Sequence, residues 1–352
     1  MRIKAFICLI LIVASLVSCS PKEKKESSPH TLSFYEYFDT VCTVSSYSGE
    51  SASDFGKNAE FVKGELDRYH KLFDIYNTYE GVNNIKTIND NAGVSAVTVS
   101  NELISFLQYA KHVYNITDGV LNIALGSVLT LWHNCRTQAI EMPENASVPT
   151  KEYLENADRH TDINNLIIDE KASTVYISDP NMSLNVGALG KGYATEKIAN
   201  KLESQGVTSY VLNMGGNIRA IGAKPSGDGW VTGITNPNKS ASASQFIAKT
   251  TIKDTSIVTS GNYERYYTVN GVNYHHIIDP DTLEPSRYFS SVSVMTKDSA
   301  LADALSTALF CMSYEEGLEL INKLGGVEVL WVKNDFSIIT TAGFELYSKD
   351  GK

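Results

Sequence analysis

The chain has 352 residues and a formal net charge of −10, with 30 Lys and Arg against 40 Asp and Glu. That balance argues against nucleic acid as a partner, because binding a phosphate backbone wants a basic face. Hydrophobic residues make up 43 % of the chain, ordinary for a globular protein and enough for a large core.

Residues 1–18 carry a targeting pattern. Arg2 and Lys4 precede an apolar run from Ala5 to Val17, too short for a comfortable membrane span. The run ends Leu16-Val17-Ser18-Cys19, which resembles a bacterial lipobox. Cleavage there leaves Cys19 as a lipidated N-terminus, with palmitate among its acyl chains; an ordinary signal peptide with a chance cysteine is the alternative. Residues 19–32 read as that cysteine and a flexible tether, Lys-, Glu- and Ser-rich from Ser20 to Pro29, and residues 33–349 as one body. The expected place is the bacterial cell membrane, held by lipid and facing the periplasm or the cell exterior. The five cysteines form no CxxC pair, so neither a zinc site nor a dense disulfide framework is expected.

Phe34 to Ser46 alternates like a strand. Asp54 to Phe73 spaces apolar residues at three and four, a helix that Asp54 is placed to cap. A polar loop with Tyr76 and Tyr79 follows. Ser100 to Asn115 is a second helix, capped by Ser100. Thr117 to Ile123 is a turn, and Leu125 to Trp132 a helix with Trp132 in the core. Residues 136–162 read as a surface excursion, and Asn164 to Asp169 with Thr174 to Ser178 as a strand pair. From Leu184 to Ala194 a strand meets a Gly-rich turn and a helix begins near Lys191. Glycines let backbone approach phosphates, and amides at a helix start favour anions. The GxxxxGK[ST] spacing of a P-loop is absent. Lys191 either meets an anion or caps its helix. Tyr210 to Asn213 is a buried strand that bends at Gly215-Gly216. Trp230 to Ile234, Phe246 to Ile252, Val292 to Met295, Val327 to Val332 and Ile338 onward supply further strands.

The chain is organised around Asn273 to Phe310. Tyr274, His276 and Ile278 share one strand face, and Asp279-Pro280 ends the strand. Asp303 and Thr307, four apart, share one helix face, so a carboxylate and a hydroxyl stand together. Such a pair suits a hard divalent cation, which takes oxygen ligands and substrate phosphates. A Thr bonding back to a helix carbonyl is the simpler alternative. Helices and strands alternate without a regular βαβ repeat, so the fold class is α+β.

His276-Ile277-Ile278-Asp279-Pro280 followed by Asp303-Ala304-Leu305-Ser306-Thr307 resembles the ApbE family, the FAD:protein FMN transferases. The resemblance runs from about Phe34 to about Tyr347. It implies mixed sheets with flanking helices, a flavin transferase fold related to the T-fold. Phe38-Asp39-Thr40 stands at a Met-Gly-Thr-like signature and places Phe38 on the flavin. Tyr79 matches the family's aromatic platform for the isoalloxazine, with a loop Tyr packed on the core as the other reading. Val120, Leu121 and Asn122 fall in a segment that lines the flavin. Asn122, Asn185 and Asn217 stand where the family more usually has Asp. The segment around Ala188 and Lys191 implies an Ala188 carbonyl ligand to the metal and a Lys191 contact with the FAD pyrophosphate or nearby, and Ile257 to Gly261 resembles the family's Thr-Ser-Gly turn.

The resemblance thus implies Mg²⁺ held by Ala188, Asp303 and Thr307, FAD as substrate, and a site that also includes His276 and Ile277. His276 is the expected general base, since imidazole titrates near neutral pH. The expected reaction moves FMN from FAD to a Thr or Ser hydroxyl of a target flavoprotein in a membrane redox complex. Two alternatives stay open: hydrolysis of FAD to FMN and AMP, and a lipoprotein that binds flavin without turnover.

Overall fold

The computed structural model describes residues 29–240 and 242–348. The expected targeting segment, Cys19 and most of the tether lie outside the described residues. Strand β1 (His30–Phe34) pairs antiparallel with β2 (Cys42–Ser46). The expected single strand over Phe34 to Ser46 is therefore two, split by a turn in which Phe38 and Asp39 take φ of 55° and 51°. Strand β1 begins inside the stretch read as tether, because His30 pairs with Ser46. Helix α1 (Ala52–Phe73) is capped by Ser51, not Asp54: the Asp54 N–H donates to Ser51 Oγ at 3.1 Å.

Helix α2 (Ile85–Asp90) opens in a capping box of Asn84 and Thr87. The short strand β3 (Val97–Thr98) leads to helix α3 (Asn101–Ile116), with Ser100 as its cap. Helix α4 (Gly126–Glu141) runs well past Trp132, and α5 (Lys151–Asp158) occupies the surface excursion. Strands β4 (Leu166–Asp169) and β5 (Thr174–Ile177) pair antiparallel, with β3 on the far side of β5.

Helix α6 (Gly190–Ser204) follows the Gly-rich turn, and then β6 (Tyr210–Met214) and β7 (Asn217–Ile221) make a hairpin. Two more hairpins flank β10 (Ser256–Gly261): β8 (Trp230–Thr235) with β9 (Phe246–Ile252), and β11 (Tyr266–Val269) with β12 (Val272–His275). Strand β13 (Ser291–Thr296), helices α7 (Ser299–Phe310) and α8 (Tyr314–Leu324), and strands β14 (Glu328–Val332) and β15 (Ile338–Thr340) close the chain. The principal sheet runs β1-β2-β6-β7-β10-β13-β14-β15, with neighbours antiparallel throughout. The class is α+β. Ile257 to Gly261, expected as a turn, lies in strand β10.

Period-two alternation divides the sheet's side chains between two cores. Val258, Val292, Val294, Val329 and Trp331 pack with the helices on one face. Ile257, Leu330 and Val332 pack with Trp230, Ile234 and Ile252 on the other. Helix α7 lies on β10 and β13 and against α6. A third cluster, with Val128, Trp132, Tyr267 and Ile278, joins α4 to the β11–β12 hairpin. The site lies where these three packed regions meet. No helix among the described residues is long and apolar enough to cross a membrane.

Candidate active site

Asp303 reaches the site because two helices come very close. A Cβ on Gly192 would lie 2.3 Å from Asp303 Cβ and 2.4 Å from the Ser299 carbonyl oxygen. With glycine there, the Gly192 N–H in the first turn of α6 donates to Asp303 Oδ2 at 2.7 Å. That N–H would otherwise close the first helical turn onto the Ala188 carbonyl. Among the described residues no other hydrogen bond is made to that carbonyl, and Ala188 lines the cleft. Burial pushes the Asp303 carboxyl above its ordinary range, against the pull of Lys191 and the Gly192 N–H. A buried carboxylate held this way is favoured by a nearby cation. Thr307, one turn on, has its hydroxyl 3.3 Å from Ser260 Oγ on β10. No cluster of three His, Cys, Asp or Glu able to hold a metal exists among the described residues. A cation here would take one carboxylate, a hydroxyl and a carbonyl, which is the oxygen chemistry of Mg²⁺.

The two adjacent histidines separate cleanly. His275 is buried and uses both ring nitrogens on backbone: Nε2–H donates to the Ser286 carbonyl at 2.8 Å, and Nδ1 accepts from the Ile277 N–H at 3.3 Å. Strand β12 ends there, so His276 leaves the ladder and opens onto the cleft. Its backbone N–H and its ring Nδ1–H both donate to the Arg265 carbonyl, at 3.1 and 3.3 Å. A carbonyl only accepts, so Nδ1 carries the proton and Nε2 keeps a free lone pair. Desolvation against the cleft walls, with the positive charges of Arg265 and Lys191 adding to it, pushes the imidazolium below its ordinary range, by less than full burial would because the residue is partly open to solvent. His276 is thus neutral at physiological pH.

These groups line one cleft of about 1150 Å³. Phe38, Val120, Leu121, Asn122, Asn185, Ala188, Lys191, His276, Ile277, Asp303 and Thr307 all face it. Lys191 donates to the Gly187 carbonyl at 3.3 Å, which holds its side chain at the Gly-rich turn. Asp39, at the glycine place of the Met-Gly-Thr-like signature, takes the left-handed φ that glycine adopts readily. Tyr79 stands apart from the cleft lining. Its hydroxyl donates to Asp74 Oδ2 at 2.6 Å and its ring packs edge-on against His70. The same Asp74 carboxylate accepts from the Tyr76 and Asn77 N–H groups. The loop so folded puts Tyr76, not Tyr79, on the cleft wall, tilted against His133 with centroids 5.5 Å apart.

Sequence reasoning passed over Tyr76, His133, Arg136 and Arg265. For Arg265 a signal existed. Asn270-Gly271 is a two-residue hairpin turn, both residues at positive φ, and it sets Tyr266 opposite His275. The next pair along that hairpin is Arg265 and His276. No periodic pattern distinguishes Tyr76 from Tyr79.

Fold and cleft together define an α+β protein with a large cleft that runs between a helix start and a hairpin histidine. The ApbE family model matches residues 38–331, and the chain belongs to the ApbE family. A Treponema pallidum protein named FAD:protein FMN transferase is 30 % identical over 351 residues, covering 95 % of this chain and 92 % of that protein. The crystal structure of the ApbE protein from Thermotoga maritima matches with a TM-score of 0.77 at 28 % identity, over 90 % of this chain and 97 % of that one. The flavin transferase ApbE from Vibrio cholerae shares the fold, with a TM-score of 0.73 at 24 % identity over 90 % of this chain and 99 % of that one.

Proposed function

We propose that this protein is an FAD:protein FMN transferase, moving FMN from FAD to a Thr or Ser hydroxyl of a target flavoprotein and releasing AMP. The observation that carries the reading is one cleft bringing together Ala188, Asp303, Thr307 and His276 from three separate stretches of chain. Its volume, about 1150 Å³, lies at the large end for small-molecule sites and suits a dinucleotide.

The acceptor hydroxyl attacks the FMN-side phosphorus, and the bond from that phosphorus to the AMP oxygen breaks. His276 Nε2 takes the hydroxyl proton. Phosphates placed beside the ring favour the imidazolium, so the substrate raises the basicity that the cleft walls suppress. Lys191 and the amides of the Gly-rich turn receive phosphate charge. Asp303, Thr307 and the Ala188 carbonyl would hold Mg²⁺, which would supply charge neutralisation at the phosphates. Phe38, Val120, Leu121 and Ile277 offer apolar wall to the isoalloxazine, while Asn122 and Asn185 offer polar contacts.

The lipobox-like Leu16 to Cys19 supports a lipid anchor at Cys19, a bacterial membrane address facing the periplasm or the exterior, and flavoprotein subunits of membrane redox complexes as targets. Hydrolysis of FAD to FMN and AMP is the second reading, favoured by the solvent exposure of His276, which admits water as acceptor. Incubation with FAD, Mg²⁺ and a flavin-free, Thr-bearing flavoprotein domain separates the outcomes. An FMN-sized mass gain on the domain with one AMP per transfer supports the transferase. AMP with free FMN supports hydrolysis, and intact FAD refutes both.

A further inference from the structure

We infer that Arg265 is a second catalytic group, its guanidinium meeting the phosphoryl group that is transferred. The inference rests on the flavin-transfer reading above. Arg265 and His276 are held as one unit, because the His276 backbone N–H and Nδ1–H both end on the Arg265 carbonyl. A phosphorus close enough for Nε2 to serve its incoming hydroxyl is therefore within range of the guanidinium. The Arg265 side chain is exposed and lines the cleft. Its charge acts on His276 and also on the phenol of Tyr76, which rises from the loop after α1.

Arg265 is also uncommitted. Arg68 pairs with Glu65 and Glu102, and Arg219 pairs with Glu196, Glu203 and Asp254. Among the described residues Arg265 makes no ion pair, and its neighbour Glu264 faces Lys239 instead. Arg136, Arg159 and Arg287 make no ion pair among the described residues either, so what sets Arg265 apart is its tie to His276. Arginine's planar donors match phosphate oxygens in pairs, and they do so most strongly where water is scarce. Arg136, also in the cleft, comes from α4 and has no tie to His276. Lys191 serves phosphate from the Gly-rich turn, on a different segment with no tie to His276.

The step balances. The acceptor oxygen bonds the FMN phosphorus as the phosphorus–oxygen bond to AMP breaks, and the bonding pair leaves with AMP. The hydroxyl proton goes to His276 Nε2 and then to AMP or solvent. The Arg265 N–H groups donate throughout to non-bridging oxygens of the moving phosphoryl and are neither consumed nor deprotonated.

The test uses the full chain with Arg265→Ala and Arg265→Lys. FMN transfer from FAD with Mg²⁺ is measured on the flavin-free, Thr-bearing flavoprotein domain, and FAD affinity separately by flavin fluorescence. Both variants leave the carbonyl that orients His276 in place. Arg265→Ala is expected to lower kcat by ~10²–10³, the cost of one oxyanion donor. FAD affinity is expected to change by less than about threefold, so that the loss falls on kcat. Arg265→Lys restores part of the rate, and added methylguanidinium restores part of it in the Ala variant. A kcat within about threefold of the native chain, or a loss accounted for by weaker FAD binding, overturns the inference. Native protein that moves no FMN to this domain overturns the underlying reading itself, which the first comparison detects before any variant is made.

Discussion

Gly192→Ala is the sharpest probe of how the site is built. The added Cβ would fall 2.3 Å from Asp303 Cβ and 2.4 Å from the Ser299 carbonyl oxygen. Both neighbours belong to α7 and are buried, so neither is a flexible tip that swings away. Ordinary contact begins near 3.4 Å, which leaves the helices about 1 Å too close. Overpacking of this kind costs ~1–3 kcal/mol. The catalytic cost is the more telling one. Separation of α6 from α7 lengthens the Gly192 N–H bond to Asp303 and moves the carboxylate relative to the Ala188 carbonyl. A displacement of ~1 Å in a positioning group is worth ~10²-fold in rate. FMN transfer at saturating FAD and Mg²⁺, alongside urea unfolding, measures both. Gly64→Ala in α1 is the control: nothing lies within 4 Å of its Cβ position, and it is expected to gain ~0.5–1 kcal/mol with activity unchanged. A Gly192→Ala protein with native stability and native kcat would refute the claim that this helix contact places Asp303.

Asp303→Asn keeps the shape and removes the charge. AMP release titrated with Mg²⁺ should fall by ~10²–10³, from the several kcal/mol that a bound cation supplies at phosphates; native turnover would remove Asp303 from the ligand set. Tyr76→Ala should weaken FAD binding by roughly 2- to 10-fold, the worth of one aromatic contact. Tyr79→Phe should weaken it less, and the reverse order by fluorescence titration would return Tyr79 to the role of platform. His275 gives a pH dependence to stability. Burial pushes its imidazolium down to about 4, with the Ser286 carbonyl opposing and Arg287 adding to the shift. The unfolded chain holds this proton more tightly, so the contribution is complete above about pH 6.5 and is lost as pH falls toward 4. The loss amounts to ~3 kcal/mol. Urea midpoints at pH 7 and 4.5 should differ less in His275→Asn than in the native chain, and an equal difference would contradict this account.

Elements with a strong period were legible before any coordinates. Helix α3 carries Ser100 at its cap and an apolar stripe behind it, and both lie where the spacing puts them. The turn between β1 and β2 was not legible, because the stretch from Tyr35 to Val41 contains no glycine or proline to mark it. Its two left-handed residues are Phe38 and Asp39, and only Asp is at all common there. The cap of α1 was misplaced by three residues, since Ser51 and Asp54 are both good caps and local hydrogen bonding decides between them. Tyr76 and Tyr79 are separated by one carboxylate. Asp74 gathers two backbone N–H groups and the Tyr79 hydroxyl, turning the second ring toward α1 and the first toward the cleft. That choice depends on a folded loop, which no periodicity encodes. In the proposed cation site, the Asp303–Thr307 spacing was visible in the sequence. The freedom of the Ala188 carbonyl was not, because it depends on a helix-start N–H diverted to a residue over a hundred positions away.

The three amides that stand where the resemblance expects carboxylates also acquire a physical meaning. Asn122 braces its loop from both ends: Oδ1 accepts from the Ala124 N–H at 2.9 Å, and Nδ2 donates to the Thr161 carbonyl at 2.8 Å. A carboxylate could accept the first bond but has no proton for the second, and it would face a carbonyl oxygen with negative charge. Asn185 only accepts, from the Gly187 N–H at 3.0 Å, a bond that Asp would make equally well. Asn217 is buried near Asp303, and although its Nδ2 makes no hydrogen bond, its amide pulls the carboxyl's pKa down against the effect of burial. Aspartate there would put a second carboxylate into the same poorly solvated space, where like charges drive one pKa sharply up and leave a protonated, poorer ligand. The amides at 122, 185 and 217 therefore act differently. The first needs its donor, the second tolerates either group, and the third keeps Asp303 from sharing its burial with a competing negative charge. In a chain of net charge −10, that neutrality near Asp303 also lowers the repulsion an incoming pyrophosphate must overcome.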